Sequence, residues 1–334
     1  MSHEHVAPPT LLHGDRRMTR GRLASHLLFI IAIGLLAMVP AWGNDYITSL
    51  FISLLMYANL ATAWGIFCGT TRRISLATAA FVGVGCYAVA IFGEILPWPV
   101  VLLVAAIAGG LLALLIGLCT LRLSGMYFVI FTFGVAEMIR QLVTWYESSV
   151  QGSVGRFIFI DITSNDIYWQ LLALFVVVWL LGAWLSRSRL GFALRLIGED
   201  QVAASSSGIN TVLIRLLVFI GTSMVMSVVG AMIAPRWAYI EPSIAFNSLI
   251  SFQVLVMALL GGIAMYFGPV IGVIPLIFAF ELLIKYFPDH FSMVLGAIFL
   301  FIVYLLPGGI LGLCRRLGLS EHFKLFKRTK VNHG

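Results

Sequence analysis

Long apolar runs separated by short polar connectors dominate the pattern of hydrophobic and polar positions along this 334-residue chain. A helix needs about 20 apolar residues to cross a bilayer, and its backbone amides are hydrogen-bonded within the helix itself. Strands of a membrane barrel would instead alternate apolar and polar positions over roughly 10 residues. The pattern therefore predicts ten helical spans, at residues 23–42, 47–67, 74–92, 98–121, 126–145, 167–186, 212–235, 246–264, 269–287 and 291–311.

The third predicted span is less apolar than the others, because Ser75, Thr78, Gly83 and Gly85 interrupt it. The sequence leaves open whether this span is a tilted transmembrane helix or a re-entrant one. The expected fold is therefore an all-α, polytopic membrane bundle of about ten transmembrane or re-entrant helices. The composition agrees, since 60% of the residues are apolar, 10% are charged and the mean hydropathy is +1.02.

Lysine and arginine are distributed unevenly among the predicted connectors, and cytoplasmic loops collect these residues. With the N-terminus inside the cell, only Arg140, Arg156, Arg236 and Lys285 of the 21 basic residues lie outside. Both termini are then cytoplasmic. The predicted organisation is a tail at 1–22, a membrane domain at 23–313 with an extracytoplasmic loop at 146–166 and a cytoplasmic segment at 187–210, and a basic tail at 314–334.

The net charge of +7 follows from this topology and from contact with anionic lipid headgroups. Membrane lipid is therefore an expected partner, and nucleic acid is not, because no basic groove interleaved with aromatic residues occurs. The sequence contains no GxSxG or HExxH motif, and no Gly-Lys dipeptide of a Walker A loop. The chain is expected to be neither an enzyme nor an ATPase, and its scattered cysteines and histidines predict no metal site.

Charged residues inside a span usually have a partner or a function, because charge is costly in hydrocarbon. Glu137 and Arg140 lie three residues apart in the fifth predicted span, close enough to pair on a helix. Two interpretations remain open for them: a self-neutralised structural pair, or a role in a transport pathway or its gating.

The cytoplasmic segment at 187–210 is basic and amphipathic, and its pattern predicts two short helices. Gly198 weakens the centre, Asp200 is a suitable cap for a helix that begins at Gln201, and Gly208 is a suitable stop. One apolar stripe is predicted to contain Phe192, Ala193, Leu196, Ile197, Ala203 and Ala204. From these residues alone, the segment either lies on the inner leaflet or docks onto a partner.

Five stretches resemble one known family, in the order in which that family has them. ALRLIGEDQVAASSSGIN resembles the coupling segment of the LivM-type permeases of branched-chain amino-acid ABC importers. The other four are RISLATAAFVGVGCYAVAIF, LSGMYFVIFTFGVAEMIRQL, VLVMALLGGIAMYFGPVIGV and YLLPGGILGL. The resemblance runs from about residue 53 to residue 313.

The resemblance implies a transport subunit in the bacterial inner membrane that works with other proteins. The implied partners are a homologous second permease, two cytoplasmic ABC ATPases and an extracytoplasmic solute-binding protein. ATP and Mg²⁺ would bind the ATPases, and this chain would bind no cofactor. The residues that match the family's ATPase-coupling pattern are Arg195, Glu199, Asp200, Ala203, Ala204 and Gly208.

Candidate pathway residues are the polar positions of the third and fifth predicted spans. They are Ser75, Thr78, Tyr87, Tyr127, Thr132 and Glu137. Departures from the family pattern, such as Thr78 in place of a histidine and Gly198 in place of a basic residue, leave the cargo open. Branched-chain or related amino acids come first, and urea, amides and small organic acids remain alternatives. The alternative function is that of a self-sufficient secondary carrier or channel.

Overall fold

A computed structural model describes residues 33–40, 44–120, 123, 125–262, 268–305 and 309. Most of the first predicted span and both predicted tails lie outside the described residues. The longer helices are α1 (33–40), α2 (Asp45–Thr71), α3 (Thr78–Phe92), α4 (Trp98–Thr120), α5 (Met126–Tyr146), α6 (Ser164–Arg187), α7 (Arg189–Glu199), α9 (Thr211–Ile233), α11 (Ser248–Gly261), α12 (Gly268–Tyr286) and α13 (Phe291–Leu305). The short helices are α8 (Gln201–Ser206) and α10 (Pro242–Ala245).

Seven helical stretches within the described residues are long and apolar enough to cross a membrane. They coincide with the second predicted span and with the fourth to the ninth. The third and tenth predicted spans correspond to the shorter apolar helices α3 and α13. The chain is therefore a polytopic helical membrane protein, and the count of ten spans stays a prediction.

The centre of the bundle is α9, which packs against α2, α3 and α4. Glycines allow these backbones to touch: a Cβ at Gly85 would overlap the Ser227 carbonyl oxygen, and one at Gly230 would overlap the Val82 carbonyl oxygen. A third close approach lies between α11 and α12, where a Cβ at Gly272 would overlap the Met257 carbonyl oxygen. Small residues at helix crossings permit such contacts in membranes.

The third predicted span is broken near its start. Its helix begins at Thr78, and residues 72–77, which we call the broken segment, are not helical although Ser75 is buried. The 15 residues of α3 cover about 22 Å at 1.5 Å per residue, which is shorter than the roughly 30 Å of a hydrocarbon core. Within the hydrocarbon core, non-helical backbone is tolerated only where protein encloses it. The broken segment meets this condition because α2, α5 and α11 surround it.

The connector between α5 and α6 contains structure that the sequence did not predict. A π-helical turn at Glu147–Gln151 follows α5, and the strand β1 (Arg156–Phe157) pairs antiparallel with β2 (Tyr239–Ile240). Within the described residues, this two-residue pairing departs from an all-α fold. It joins the connectors between α5 and α6 and between α9 and α10, which the charge pattern assigns to the same side of the membrane.

The segment at 187–210 forms two short helices, as predicted. Asp200 separates α7 from α8, and its Oδ1 accepts hydrogen bonds from the backbone N–H groups of Val202 (2.8 Å) and Ala203 (3.1 Å). Gly208 ends the segment with a φ of 78°, a conformation that favours glycine. The tertiary structure adds a role for Gly198: a Cβ there would overlap the Thr70 carbonyl oxygen, so α7 lies directly on the end of α2.

Candidate coupling surface and transport pathway

An exposed surface covers one side of α7 and α8, and we call it the coupling surface. It consists of Phe192, Arg195, Glu199, Asp200, Val202 and Ala203. Phe192 and Val202 are apolar yet 59% and 73% exposed. Solvent-exposed apolar residues beside charged ones are typical of a surface that binds another protein.

The orientation of this segment corrects part of the predicted stripe. Phe192 and Ala203 face outward, whereas Ala193, Ile197 and Ala204 are buried. Ala204, a predicted ATPase contact, is 2% exposed and packs inward. Val202 was not among the predicted contacts, because a lone valine in a polar stretch carries no signal until its orientation is known.

Two side chains tie the coupling surface to the spans on either side of it. Arg195 donates a hydrogen bond to the Ser186 carbonyl oxygen at the end of α6 (3.0 Å). Arg215 of α9 donates to the Gln201 amide oxygen of α8 (3.1 Å). These two hydrogen bonds link α7 to α6 and α8 to α9.

Arg215 is unusual for a charged residue, because it is 2% exposed and its guanidinium group is only partly hydrogen-bonded. Within the described part of the chain, its Nε and Nη1 atoms have no hydrogen-bond partner, and the positive charge of Arg73 repels it. Arg73 itself donates to the Leu123 carbonyl oxygen and lies over the Phe128 ring, 5.8 Å from its centroid. Among these residues, the buried positive charge near the N-terminal end of α9 is thus only partly compensated.

Two predicted pathway residues, Ser75 and Thr78, line one small buried cavity. The cavity has a volume of about 10 Å³, which is enough for roughly one water molecule. Ser223, which also lines it, is 1% exposed, and its hydroxyl has no hydrogen-bond partner in the part of the chain that the structure describes. The full lining is Trp64, Phe67, Ser75, Thr78, Phe81, Phe219, Thr222, Ser223 and Met226.

Thr132 has a structural role beside this cavity. It is fully buried, and its hydroxyl accepts a hydrogen bond from the backbone N–H of Leu76 (3.1 Å) in the broken segment. Trp64 donates to the Ser75 carbonyl oxygen (2.8 Å), and Ser251 accepts from the Ala79 N–H (2.9 Å). Three side chains thereby supply hydrogen bonds that a continuous helix would make for itself.

Tyr87 belongs to a separate polar cluster at the outer end of α3. Its hydroxyl donates to Glu147 Oε2 (3.2 Å), which also accepts the Gly155 N–H (2.8 Å). Arg156 Nε lies 3.5 Å from Glu147 Oε1. Sequence reasoning placed Glu147 and Arg156 in the outer loop without a role, because Tyr87 lies 60 residues away and no regular helical spacing joins Glu147 to Gly155 and Arg156.

Glu137 and Arg140 form the predicted ion pair on α5. Glu137 also accepts from the Gln141 amide (3.1 Å), and the Ser248 hydroxyl lies 3.5 Å from its Oε2. Both charged side chains are about one-third exposed, at 34% and 32%. Tyr127, by contrast, is 74% exposed and reaches neither this pair nor the cavity.

These features define a class: a helical membrane protein with an exposed surface on two short helices between its spans and polar groups inside its bundle. Residues 46–303 match the family described as the permease component of branched-chain amino acid transport systems. The chain belongs to this family, whose members are transport components and not enzymes. The family and the seven apolar spans place it in the bacterial inner membrane as a multi-pass protein.

Individual relatives agree with the family. The chain is 25% identical to the high-affinity branched-chain amino acid permease protein LivM of Salmonella typhimurium, over 93% of this chain and 80% of that protein. It is also 25% identical to LivM of Escherichia coli, over 88% and 77%. The permease protein BraD of Pseudomonas aeruginosa is 32% identical over 47% of this chain and 53% of its own length. No solved structure matches the chain.

Proposed function

We propose that the chain and a homologous second permease together enclose a pathway for branched-chain or closely related amino acids. Cytoplasmic ATPases drive this import by binding the coupling surface. The observation that carries the proposal is the coupling surface itself, exposed on two short helices and hydrogen-bonded to both α6 and α9. The cargo is inferred from the family and from the names of LivM and BraD.

Coupling follows from the way α7 and α8 are attached. Close packing of Gly198 on α2, together with the Arg195 and Arg215 hydrogen bonds, makes the segment one rigid unit with three spans. Closure of an ATPase dimer would move this unit as a rigid body, which is a common mechanism of switching between states. ATP and Mg²⁺ belong to the ATPases in this proposal, and this chain supplies only the contact.

The second permease faces α5 in this proposal. Of the seven candidate spans, α5 with the turn after it is the least enclosed by the other described residues. Only 17% of its most apolar stretch is buried. It carries Glu137 and Arg140, one-third exposed, and ionisable side chains within a membrane face protein or water rather than lipid. We call Glu137, Arg140 and Gln141 of α5, together with the neighbouring Ser248 of α11, the α5 face, and we assign it to the pathway between the two permeases.

The finer topology is part of the same proposal: ten spans, both termini in the cytoplasm and a solute-binding protein on the outer side. Support comes from two groups of contacts. The β1–β2 pairing joins two connectors at one end of the bundle. The contact between Gly198 and Thr70 joins the coupling segment to the α2–α3 connection at the other end.

Substitutions on the coupling surface test the function directly. Ala203→Trp and Glu199→Arg are expected to abolish co-purification of the ATPases and to lower ATP-driven leucine uptake in liposomes at least about tenfold. Both positions are exposed, so the membrane domain should keep its melting temperature. Ser149→Trp, at an exposed position in the outer loop, is the matched control and should retain the ATPases.

Two results would contradict the proposal. One is ATP-driven uptake that survives both substitutions at the wild-type rate. The other is leucine uptake driven by an ion gradient in liposomes that contain only this chain, which would identify a secondary carrier.

A further inference from the structure

The outer end of α5 holds a buried acid and a base that are paired but not hydrogen-bonded to each other. Glu147 is 1% exposed, and its Oε2 is fixed by the Tyr87 hydroxyl and the Gly155 N–H. Its Oε1 and the Arg156 Nε lie 3.5 Å apart, and neither atom has a hydrogen-bond partner among the described residues. A buried ion pair normally uses such atoms, because desolvated charges are stabilised by hydrogen bonds as well as by attraction.

The two members of the pair differ in access. The Glu147 side chain is 2% exposed, whereas that of Arg156 is 29% exposed on the outer side of the bundle. A solute arriving from outside would therefore meet the guanidinium first and the carboxylate behind it. Arg156 also begins strand β1, so its position is tied to β2.

The aromatic residues that follow Arg156 in the chain are not part of this pair. Phe157 comes next in strand β1, where successive side chains point to opposite faces, and its ring stacks on that of Phe159 with centroids 5.9 Å apart. The charged pair therefore stands as a site by itself, with the guanidinium and the carboxylate as its two binding groups.

We propose that Glu147 and Arg156 form an entry subsite for an α-amino acid. The ligand's ammonium would bind Glu147 Oε1, and its carboxylate would bind Arg156. This inference rests on the proposed transport function and names a substrate-binding site for it.

Charge balance explains why a zwitterion fits. An amino acid that separates the pair supplies a new partner for each charge, so no buried charge is left uncompensated. An amine without a carboxylate would leave Arg156 unpaired, and a carboxylic acid without an ammonium would leave Glu147 unpaired. Since unpaired buried charges are strongly unfavourable, the pair selects against both analogues.

The test measures weak binding to the purified permease–ATPase complex without its binding protein, by saturation-transfer difference NMR. Leucine is expected to bind, and 3-methylbutylamine and 4-methylpentanoic acid at least about tenfold more weakly. Glu147→Gln preserves the acceptor for Tyr87 and Gly155, so the complex should assemble while leucine binding falls at least about tenfold. Asp161→Asn, at an exposed acid in the same connector, is the control and should bind leucine normally.

Three results would overturn the subsite: no leucine signal in the wild type, equal signals for leucine and both analogues, or unchanged leucine binding in Glu147→Gln. The comparison of the three ligands needs only the wild-type complex, so it decides the question even if Glu147→Gln does not assemble. Uptake separates this failure from failure of the proposed function. If only the subsite is wrong, wild type and Glu147→Gln import leucine equally, whereas a wrong function leaves even the wild type without import.

Discussion

At the scale of single residues, the most consequential side chains are those that bond to backbone in the broken third span. Trp64, Thr132 and Ser251 each bind a backbone group of residues 75–79. An unpaired backbone N–H or C=O in a membrane interior costs several kcal/mol, roughly the stability margin of a domain. These three residues therefore make the non-helical segment possible.

Replacement of Thr132 by valine tests this role. The substitution keeps the shape of the side chain but leaves the buried Leu76 N–H without its acceptor, so we expect a loss of about 1–3 kcal/mol in stability. Thermal unfolding in detergent measures it. Thr144→Val is the matched control, since Thr144 bonds only to Arg140 in its own helix, and it should change stability by less than about 0.5 kcal/mol. Equal effects of the two substitutions would contradict the role.

Arg215 presents the opposite case, a buried cation with too few partners. Arg215→Met is expected to raise stability by about 1–4 kcal/mol, because it removes an incompletely compensated buried charge at similar volume. It also removes the hydrogen bond to Gln201, so ATP-driven uptake should fall. Melting temperature and uptake are measured on the same preparation, with Arg215→Lys for comparison. A strong loss of stability in Arg215→Met would show that the charge is well paired.

At the scale of elements, the contact between α3 and α9 depends on glycine. The α3 backbone approaches so closely that even a methyl group at Gly85 would overlap the Ser227 carbonyl oxygen of α9. Lipid provides no hydrophobic force to bring helices together, so close packing of this kind is a main source of association. The short α3 is held in place by these contacts.

Gly85→Ala is therefore expected to be destabilising by about 1–3 kcal/mol, the usual cost of overpacking. The obstacle is a backbone atom, which cannot move aside as a side chain would. Gly134→Ala on α5 is the control, because nothing lies within 4 Å of a Cβ at that position. Detergent melting curves of the two variants provide the comparison, and a tolerated Gly85→Ala would show that α3 and α9 are further apart than described.

At the scale of the whole molecule, two surfaces stand out on the described part of the bundle. The helix α5 leaves Glu137 and Arg140 about one-third exposed, whereas α6 exposes apolar residues, including Leu181 at 51%. We expect a partner at both surfaces: an ATPase on the coupling surface and the second permease on the α5 face.

Photo-crosslinking tests whether the α5 face meets the second permease. With p-benzoylphenylalanine in place of Gln141 on the α5 face, we expect a crosslink to the second permease in membranes that contain the assembled transporter. The same probe in place of Leu181 on α6 should react with lipid and give no such product. A crosslink from position 181 and none from position 141 would place the second permease against a different face.

Several features followed from the sequence because they depend on neighbours along the chain. Apolar runs predicted seven described spans, and the spacing of Gly198, Asp200 and Gly208 predicted two short cytoplasmic helices. The Glu137–Arg140 pair is likewise a contact between residues three apart on one helix. The predicted apolar stripe on α7 and α8 was partly wrong, since sequence periodicity does not say which side of a short helix meets the bundle.

The sequence by itself determined the class of protein, the positions of most spans and the two short helices between α6 and α9, since hydropathy and local helix signals are enough for these. Only the tertiary structure decided that the third span is broken, that Thr132 supports it, and that Glu147 meets Arg156. The physical reason is distance along the chain. Hydrogen-bond partners such as Leu76 and Thr132 lie 56 residues apart, and only helix packing brings them together.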